Sequence, residues 1–371
     1  MAQSRVEVLS IPSKVNKEHL QTSLEYFLEL KGISDPIMQI KYLGGCSNHA
    51  LCVTTESPDT AIKKWLVRLP GSQSELLIHR QAEKINTSIV AALGIAPAFE
   101  KQFLDEGNVL QQQGYKVENY LENAETLTHE SFPRLRKKSL QVLKQVHQCG
   151  HVFHSHYHIL ERIKMMCYAL QNVGGHEITH LTYDYGKQHV NLKQILAHIN
   201  EHEKVLASFG KINLAPCHND LGPFNFMKVE EGEDQHIYII DWEYSGMNDP
   251  MCELAYIANE SGVHTRESIK ALLFDYYDKD EKISEDILQC NINRILFYLP
   301  LIDLKVAVWS LIQVNLCNQS QYIDDLRSGW GPERYKNYLE KITSSEYQEL
   351  ISSLKNKADT LQSVSIFSKK I

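Results

Sequence analysis

Cys217-His218-Asn219-Asp220-Leu221-Gly222-Pro223-Phe224-Asn225-Phe226 is the stretch on which the reading of this chain turns. A histidine is followed two residues later by an aspartate, and that aspartate five residues later by an asparagine. The spacing suits phosphoryl transfer, in which a protein mostly positions groups and neutralises charge. Asp220 can orient an acceptor hydroxyl and take its proton, and the amide oxygen of Asn225 can hold a metal ion. Alone, the same residues could be a turn built by Gly222 and Pro223. Sixteen residues beyond Asn225, however, the apolar run Ile237-Tyr238-Ile239-Ile240 delivers Asp241, followed by Trp242 and Glu243. A strand-end carboxylate is what a magnesium ion bridging two phosphates requires. The runs 226–229 and 237–240, with a turn over 230–235, form one hairpin with the loop and the metal carboxylate at its ends.

Upstream, three extended runs at 37–43, 49–55 and 62–69 are followed by a helical pattern over 74–92 that stops at Gly94. A further hairpin is predicted over 98–113 and an extended run over 115–121, after an opening helix over 17–31. The first two strands are joined by Gly44-Gly45-Cys46-Ser47-Asn48, whose backbone amides, with the Ser47 hydroxyl and the Asn48 amide, could cover phosphates. Arg68 on the third strand stands where a kinase carries its phosphate-pairing cation. Glu83 on the next helix is its expected ion-pair partner, with Glu75 as the competitor. The order of elements is that of a kinase and predicts an α+β, protein-kinase-like bilobal fold. Residues 1–121 would form a small antiparallel-sheet lobe that binds nucleotide, with a hinge at 117–121. Residues 122–371 would form a larger, mainly helical lobe that carries catalysis and the acceptor, and the polar stretch 122–129 would link the two.

The 371 residues are enough for two such lobes, and 43% apolar with 23% charged residues is an ordinary globular composition. A net charge of -8, with no run of Lys and Arg to track a phosphate backbone, argues against a nucleic-acid partner. The eight cysteines form no Cys-x-x-Cys pair and read as reduced thiols, and the first residues lack a signal-peptide pattern, so a cytoplasmic protein is expected. The apolar stretch Ile295 to Cys317 is broken by Pro300, Asp303 and Lys305, which argues against membrane insertion and for two buried helices joined near the proline. His147, His151, His154, His156 and His158 read as exposed loop histidines, not as a metal site.

Several motifs together carry a family resemblance: Gly44-Gly45-x-Ser47-Asn48, Val67-Arg68-Leu69-Pro70-Gly71, Leu93-Gly94-Ile95-Ala96-Pro97, Cys217-His218-Asn219-Asp220-Leu221 and Ile240-Asp241-Trp242-Glu243-Tyr244-Ser245-Gly246. The chain resembles the choline kinase family over about residues 40–340, and departs from the His-Gly-Asp usual in aminoglycoside phosphotransferases. The resemblance implies ATP and Mg2+, with Asp220 as catalytic base, Asn225 and Asp241 as metal ligands, and adenine contacts from the backbone of Asn119 and Leu121. It also implies that Glu253 and Glu260 help to build the acceptor side, and that Trp309 and Trp330 line a choline pocket in which Val306 replaces a second tryptophan.

The expected acceptor is therefore a small cationic alcohol, choline, with Tyr244 as a third candidate ring for its quaternary ammonium. Between residues 215 and 260, ten acidic residues face one lysine, and the six outside the hairpin turn suit magnesium and a cation. Kinases for ethanolamine, thiamine or an aminoglycoside, and a nucleotide-binding pseudokinase, are the alternative readings. A protein kinase is disfavoured, since a helical pattern resumes near Pro250 and leaves no room for an activation segment.

Overall fold

A computed structural model describes residues 7–9, 24–25, 33–45, 48–59, 61–70, 77–98, 115–174, 182–185, 188–231, 234–278, 283–317 and 323–368. The expected opening helix and the 98–113 hairpin lie almost wholly outside them. The first part of the chain builds a five-stranded sheet in sequential order from β1 (Glu7–Leu9), β2 (Ile37–Gly44), β3 (Asn48–Glu56), β4 (Ile62–Pro70) and β5 (Lys116–Asn119). β1 runs parallel to β2 and the other pairs are antiparallel. Alternation does the folding here: Ile40, Leu51, Val53, Trp65, Val67 and Val117 turn to one side and close a small core of their own.

Helix α1 (Arg80–Ala92) is inserted between β4 and β5. The His79 side chain caps its start by accepting from the Ala82 N–H, and Gly94 at φ +72° ends it.

The rest of the chain is mainly helical. β6 (Ala124–Thr126) lies inside the polar 122–129 stretch, so that stretch is ordered by pairing: β6 joins β10 (Phe226–Glu231), which pairs with β11 (Asp234–Ile239). After β6 come α2 (Phe132–His147), α3 (Ile159–Gly174), the β7 (Thr182–Tyr185) and β8 (Gln188–Asn191) hairpin, and α4 (Leu192–Leu206). β9 (Ala215–Cys217) pairs with β12 (Gly246–Asn248) and so brackets the 217–226 stretch and Asp241. Then follow α5 (Pro250–Glu260), α6 (Arg266–Tyr277), α7 (Glu285–Ile312), α8 (Ile323–Ser328), α9 (Trp330–Thr343) and α10 (Ser345–Ser368).

One sequence expectation is corrected. Pro300 does not divide two helices; it lies inside the 28-residue α7. An interior proline costs about 3 kcal/mol by removing one N–H and crowding the preceding turn. α7 is mostly apolar and almost wholly buried from Ile295 to Ile312, and that burial outweighs the local loss. By length and composition Glu285–Asn315 could also cross a membrane, but 94% of its apolar window is packed inside the protein, which makes it a core helix.

Since α7 is the axis of the larger core, truncating it there should show. Leu304 is fully buried, and Leu304→Ala is expected to cost about 2–5 kcal/mol, measured as a lower urea midpoint with an unchanged slope.

Candidate active site

The segment between β9 and β10 is held from below by one carboxylate. Glu253, on α5 and 1% exposed, accepts the backbone N–H groups of His218 and Asn219 on Oε1, both at 2.7 Å. Its Oε2 faces His147 Nε2, also at 2.7 Å, and His147 Nδ1 faces the Tyr276 hydroxyl at 2.7 Å. His147 is therefore a buried member of this network and His158 is half-buried, which corrects their reading as exposed loop residues; His151, His154 and His156 are exposed.

Asn219 stands at φ +70°, a conformation that asparagine tolerates better than other side-chain-bearing residues and that glycine adopts freely. Its side chain adds what a glycine could not. Nδ2 donates to the Tyr244 carbonyl at 3.0 Å, and Oδ1 accepts from Asn248 at 2.8 Å, tying the loop to the far side of Asp241. His218 Nε2 meets the Ile240 carbonyl at 2.7 Å, and its ring lies 4.8 Å from that of Trp242.

These ties bring Asp220, Asn225 and Asp241 together on the wall of one cavity of about 690 Å³. Asn225 donates from Nδ2 to the Asp220 backbone carbonyl at 2.8 Å, which leaves Oδ1 as its acceptor. Asp241 sits in the left-handed region at φ +65° with its side chain 44% exposed, the nearest cation among the described residues being Arg68 at 4.0 Å. An amide oxygen and an open carboxylate on one wall fit a hard cation, whose preferred ligands are oxygens.

The opposite wall comes from the first sheet. Gly45 lies at φ +132°, and a β-carbon there would come within 1.9 Å of the Asn48 carbonyl oxygen, so only glycine lets the chain turn this tightly. Gly44, at φ +114°, makes the same turn, while Ser47 lies outside the described residues. Asn119 and Leu121 line the cavity, although the Asn119 N–H is already donated to the Ala98 carbonyl at 3.1 Å, which removes that group from the expected adenine contacts.

Arg68 meets Glu83 at 2.5 Å, the pairing expected from sequence; the competitor Glu75 lies outside the described residues. What the sequence reading missed is Arg80. Its Nη1 lies 2.9 Å from Glu83 and 3.4 Å from Glu243, and its Nη2 donates to Asn48 Oδ1 at 2.9 Å, while Asn48 donates to Glu243 at 2.6 Å. The two carboxylates share two arginines unequally. Although burial opposes it, the charges of Arg68 and Arg80 hold the Glu83 carboxyl down at about 2. Glu243 is pushed up to about 8 by burial and by the nearby Asp241.

On the acceptor side the structure departs from the sequence reading. Glu253 is consumed by the loop, and Glu260 is held by Arg334, whose Nη2 lies 2.7 Å from both carboxylate oxygens; neither lines the cavity. Asp249 is paired with Arg294 and Glu243 with Arg80. The acidic excess between 215 and 260 is thus largely neutralised internally and does not form a field for a cation. Asp220 itself faces Lys305, with Nζ 2.6 Å from Oδ1. The same ammonium lies 5.1 Å from the Tyr244 ring and 4.9 Å from that of Tyr256, so Tyr244 already serves a cation of the protein. Lys305 and Tyr256 were not foreseen; the available signal was a lysine one helical turn before Trp309 in an otherwise apolar run. Trp309 and Trp330 both line the cavity, edge to face with ring centres 6.2 Å apart, and Arg334 stacks 5.3 Å from Trp330. Val306, in the place of a further ring, lines the cavity as well.

A glycine-rich turn, an arginine–glutamate pair and an Asp/Asn/Asp set around one cleft between a sheet and a helical lobe define an ATP-dependent small-molecule phosphotransferase with the kinase-like fold. The family model described as choline/ethanolamine kinase matches residues 39–339, and the chain belongs to that family. The protein LicA of Haemophilus influenzae is 26% identical over 234 residues, covering 62% of this chain and 79% of that one. The choline kinase LicA from Streptococcus pneumoniae has a similar fold, with a TM-score of 0.64 at 24% identity over 87% of this chain and 99% of that one. Ethanolamine kinase from Plasmodium vivax also aligns, with a TM-score of 0.69 at 16% identity over 90% of this chain and 91% of that one.

The Glu83 pairing has a pH signature. A carboxyl held lower in the folded chain than in the unfolded one contributes stability that is full above its unfolded value, near 4.5, and is lost as pH falls through about 2. The stability gap between wild type and Glu83→Gln, from urea titrations at several pH values, is therefore expected to narrow as pH falls from about 4.5 toward about 2.

Proposed function

We propose that the protein transfers the γ-phosphate of ATP to the hydroxyl of choline, giving phosphocholine. The observation that carries this reading is that Asp220 shares a cavity wall with Trp309 and Trp330, while the other carboxylates of the acceptor side are engaged within the protein. A primary ammonium gives up water hydrogen bonds that only acceptors can replace, whereas a quaternary ammonium donates none and needs ring faces. Tryptophans without spare carboxylates therefore favour choline over ethanolamine.

In this reading residues 1–121 hold the nucleotide and residues 122–371 the catalytic and acceptor groups. Gly44, Gly45 and Asn48 lie over the phosphates, Arg68 faces them, and the 117–121 segment flanks the base. Asn225 Oδ1 and the Asp241 carboxylate would hold Mg2+, which when bound neutralises phosphate oxygens. Asp220 orients the acceptor hydroxyl toward the γ-phosphorus and accepts its proton as the new P–O bond forms and ADP departs. The reaction belongs in the cytoplasm, where ATP is supplied.

The test is ADP release with choline, ethanolamine and thiamine as acceptors. Choline is expected to give the highest kcat/KM; a higher value for either rival would overturn the choline assignment and leave the kinase intact. Trp309→Ala should raise the KM for choline about three- to thirty-fold, because a cation over a ring contributes about 0.5–2 kcal/mol, with a smaller change in the KM for ATP. Asp220→Asn should lower kcat by roughly two or more orders of magnitude, while the ATP dissociation constant, read by titration, stays within about threefold.

A further inference from the structure

Lys305 is a charged residue in the middle of the most apolar helix of the protein, and it is 5% exposed. Burying an ammonium is costly unless it is paired. Its partners are all in the cleft: Asp220 Oδ1 at 2.6 Å and the faces of Tyr244 and Tyr256 at 5.1 and 4.9 Å. The core of α7 would be served as well by a leucine at this position, so the lysine answers to the site and not to the packing. The other cations on the cavity wall, among the described residues, are Arg68 and Lys116. Both rise from the sheet, paired with Glu83 and Glu118 respectively, which leaves Lys305 as the cation of the acceptor side.

We propose that Lys305 is a positioning residue that holds the Asp220 carboxylate in its working orientation, while Trp309, one turn further along the same helix, receives the head group of the acceptor. This rests on the kinase reading above and adds a division of labour within α7. An aspartate has two carboxylate oxygens and rotates about two bonds. A short charge-assisted hydrogen bond from Lys305 to Oδ1, with the Tyr256 hydroxyl as a second partner of the carboxylate, fixes the rotation of the group and so the direction from which it meets the incoming hydroxyl. Because the transition state of phosphoryl transfer is loose, orientation of the nucleophile counts for more than the strength of the base, and a displaced carboxylate is felt mainly in turnover. Lys305 also fills the space between Tyr244 and Tyr256, so the ammonium of the acceptor is directed away from those rings and toward Trp309.

The two roles predict opposite kinetic signatures for residues four apart on one helix. Lys305→Met keeps the stem against the tyrosines but removes the hydrogen bond. It is expected to lower kcat about a hundredfold with the KM for the acceptor changed less than about threefold. Trp309→Ala is expected to do the reverse, raising KM with little loss of kcat. Lys305→Arg, which keeps a donor for Asp220, should recover at least about a tenth of the wild-type kcat. The measurement uses whichever of choline and ethanolamine the wild type turns over better, so a failure of the choline assignment leaves it readable, and a wild type inactive with both would sink the kinase reading first. Two results would overturn the proposal for Lys305: Lys305→Met with wild-type kcat, or Lys305→Met raising the acceptor KM in parallel with Trp309→Ala. Should Lys305→Met fail to fold, Lys305→Leu, which also lacks a donor, provides the same comparison, and circular dichroism confirms that the variant measured is native.

Discussion

A carboxylate withdrawn from water must be met by a cation, by N–H donors or by a proton, and the architecture of this cleft follows from how each of its acids satisfies that requirement. Glu83 is met by Arg68 and Arg80, Asp249 by Arg294, Glu260 by Arg334, and Glu253 by two backbone N–H groups and His147. Asp303, fully buried in α7, is met by Arg334 and Lys341 of α9. Apart from Arg80 and Glu83, which share α1, these matches join different elements, so the charges act as fasteners between parts that apolar packing alone would leave free to slide. Asp241 stands apart, with its side chain 44% exposed and, among the described residues, no cation closer than Arg68 at 4.0 Å. An acid left this open, in a molecule that pairs its other cleft acids so thoroughly, is the one best placed to take an external cation.

The same fasteners connect the sheet to the reacting groups. Asn48 at the end of the glycine turn donates to Glu243, two residues beyond Asp241. Asn86 on α1 donates to the Ser245 carbonyl at 3.1 Å and accepts the His154 N–H at 2.8 Å. A shift of the sheet is therefore transmitted to the Asp241 turn through side-chain hydrogen bonds. That turn is already strained by its left-handed backbone, and a nucleotide bound between the sheet and Asp241 would bear on both ends of one connected network.

Much of this was legible in the sequence because it depends on spacing. The strands β2 to β4, the helix after them, the 217–226 loop and the strand end at Asp241 are all periodic or local features, and Arg68 with Glu83 follows from their order. What was not legible depends on long-range pairing. No local pattern shows that Glu253 and Glu260 turn inward to a loop and to Arg334, since an acid facing substrate and an acid facing an arginine about seventy residues away look the same in sequence. His147 was misread for the same reason: its partners Tyr276 and Glu253 come from α6 and α5. Pro300 misled because the helix penalty of proline is local, whereas the burial that overrides it is contributed by the helices packed around α7, chiefly α3, α5 and α9.

The fate of the acids bears on what the site selects. An excess of acidic residues along a strand and its following helix reads as attraction for a cation, but attraction depends on uncompensated charge, and here arginines and backbone donors compensate it. What remains at the acceptor end is Asp220, half-claimed by Lys305, and a pair of tryptophan rings. Such a site offers little to a ligand that must exchange several water hydrogen bonds for protein ones. It offers more to one whose charge is already spread over methyl groups and whose desolvation is cheap. On the choline reading proposed above, discrimination between amino alcohols rests on the absence of acceptors as much as on the presence of rings, and a carboxylate released from its arginine partner would alter selectivity as directly as the loss of a tryptophan.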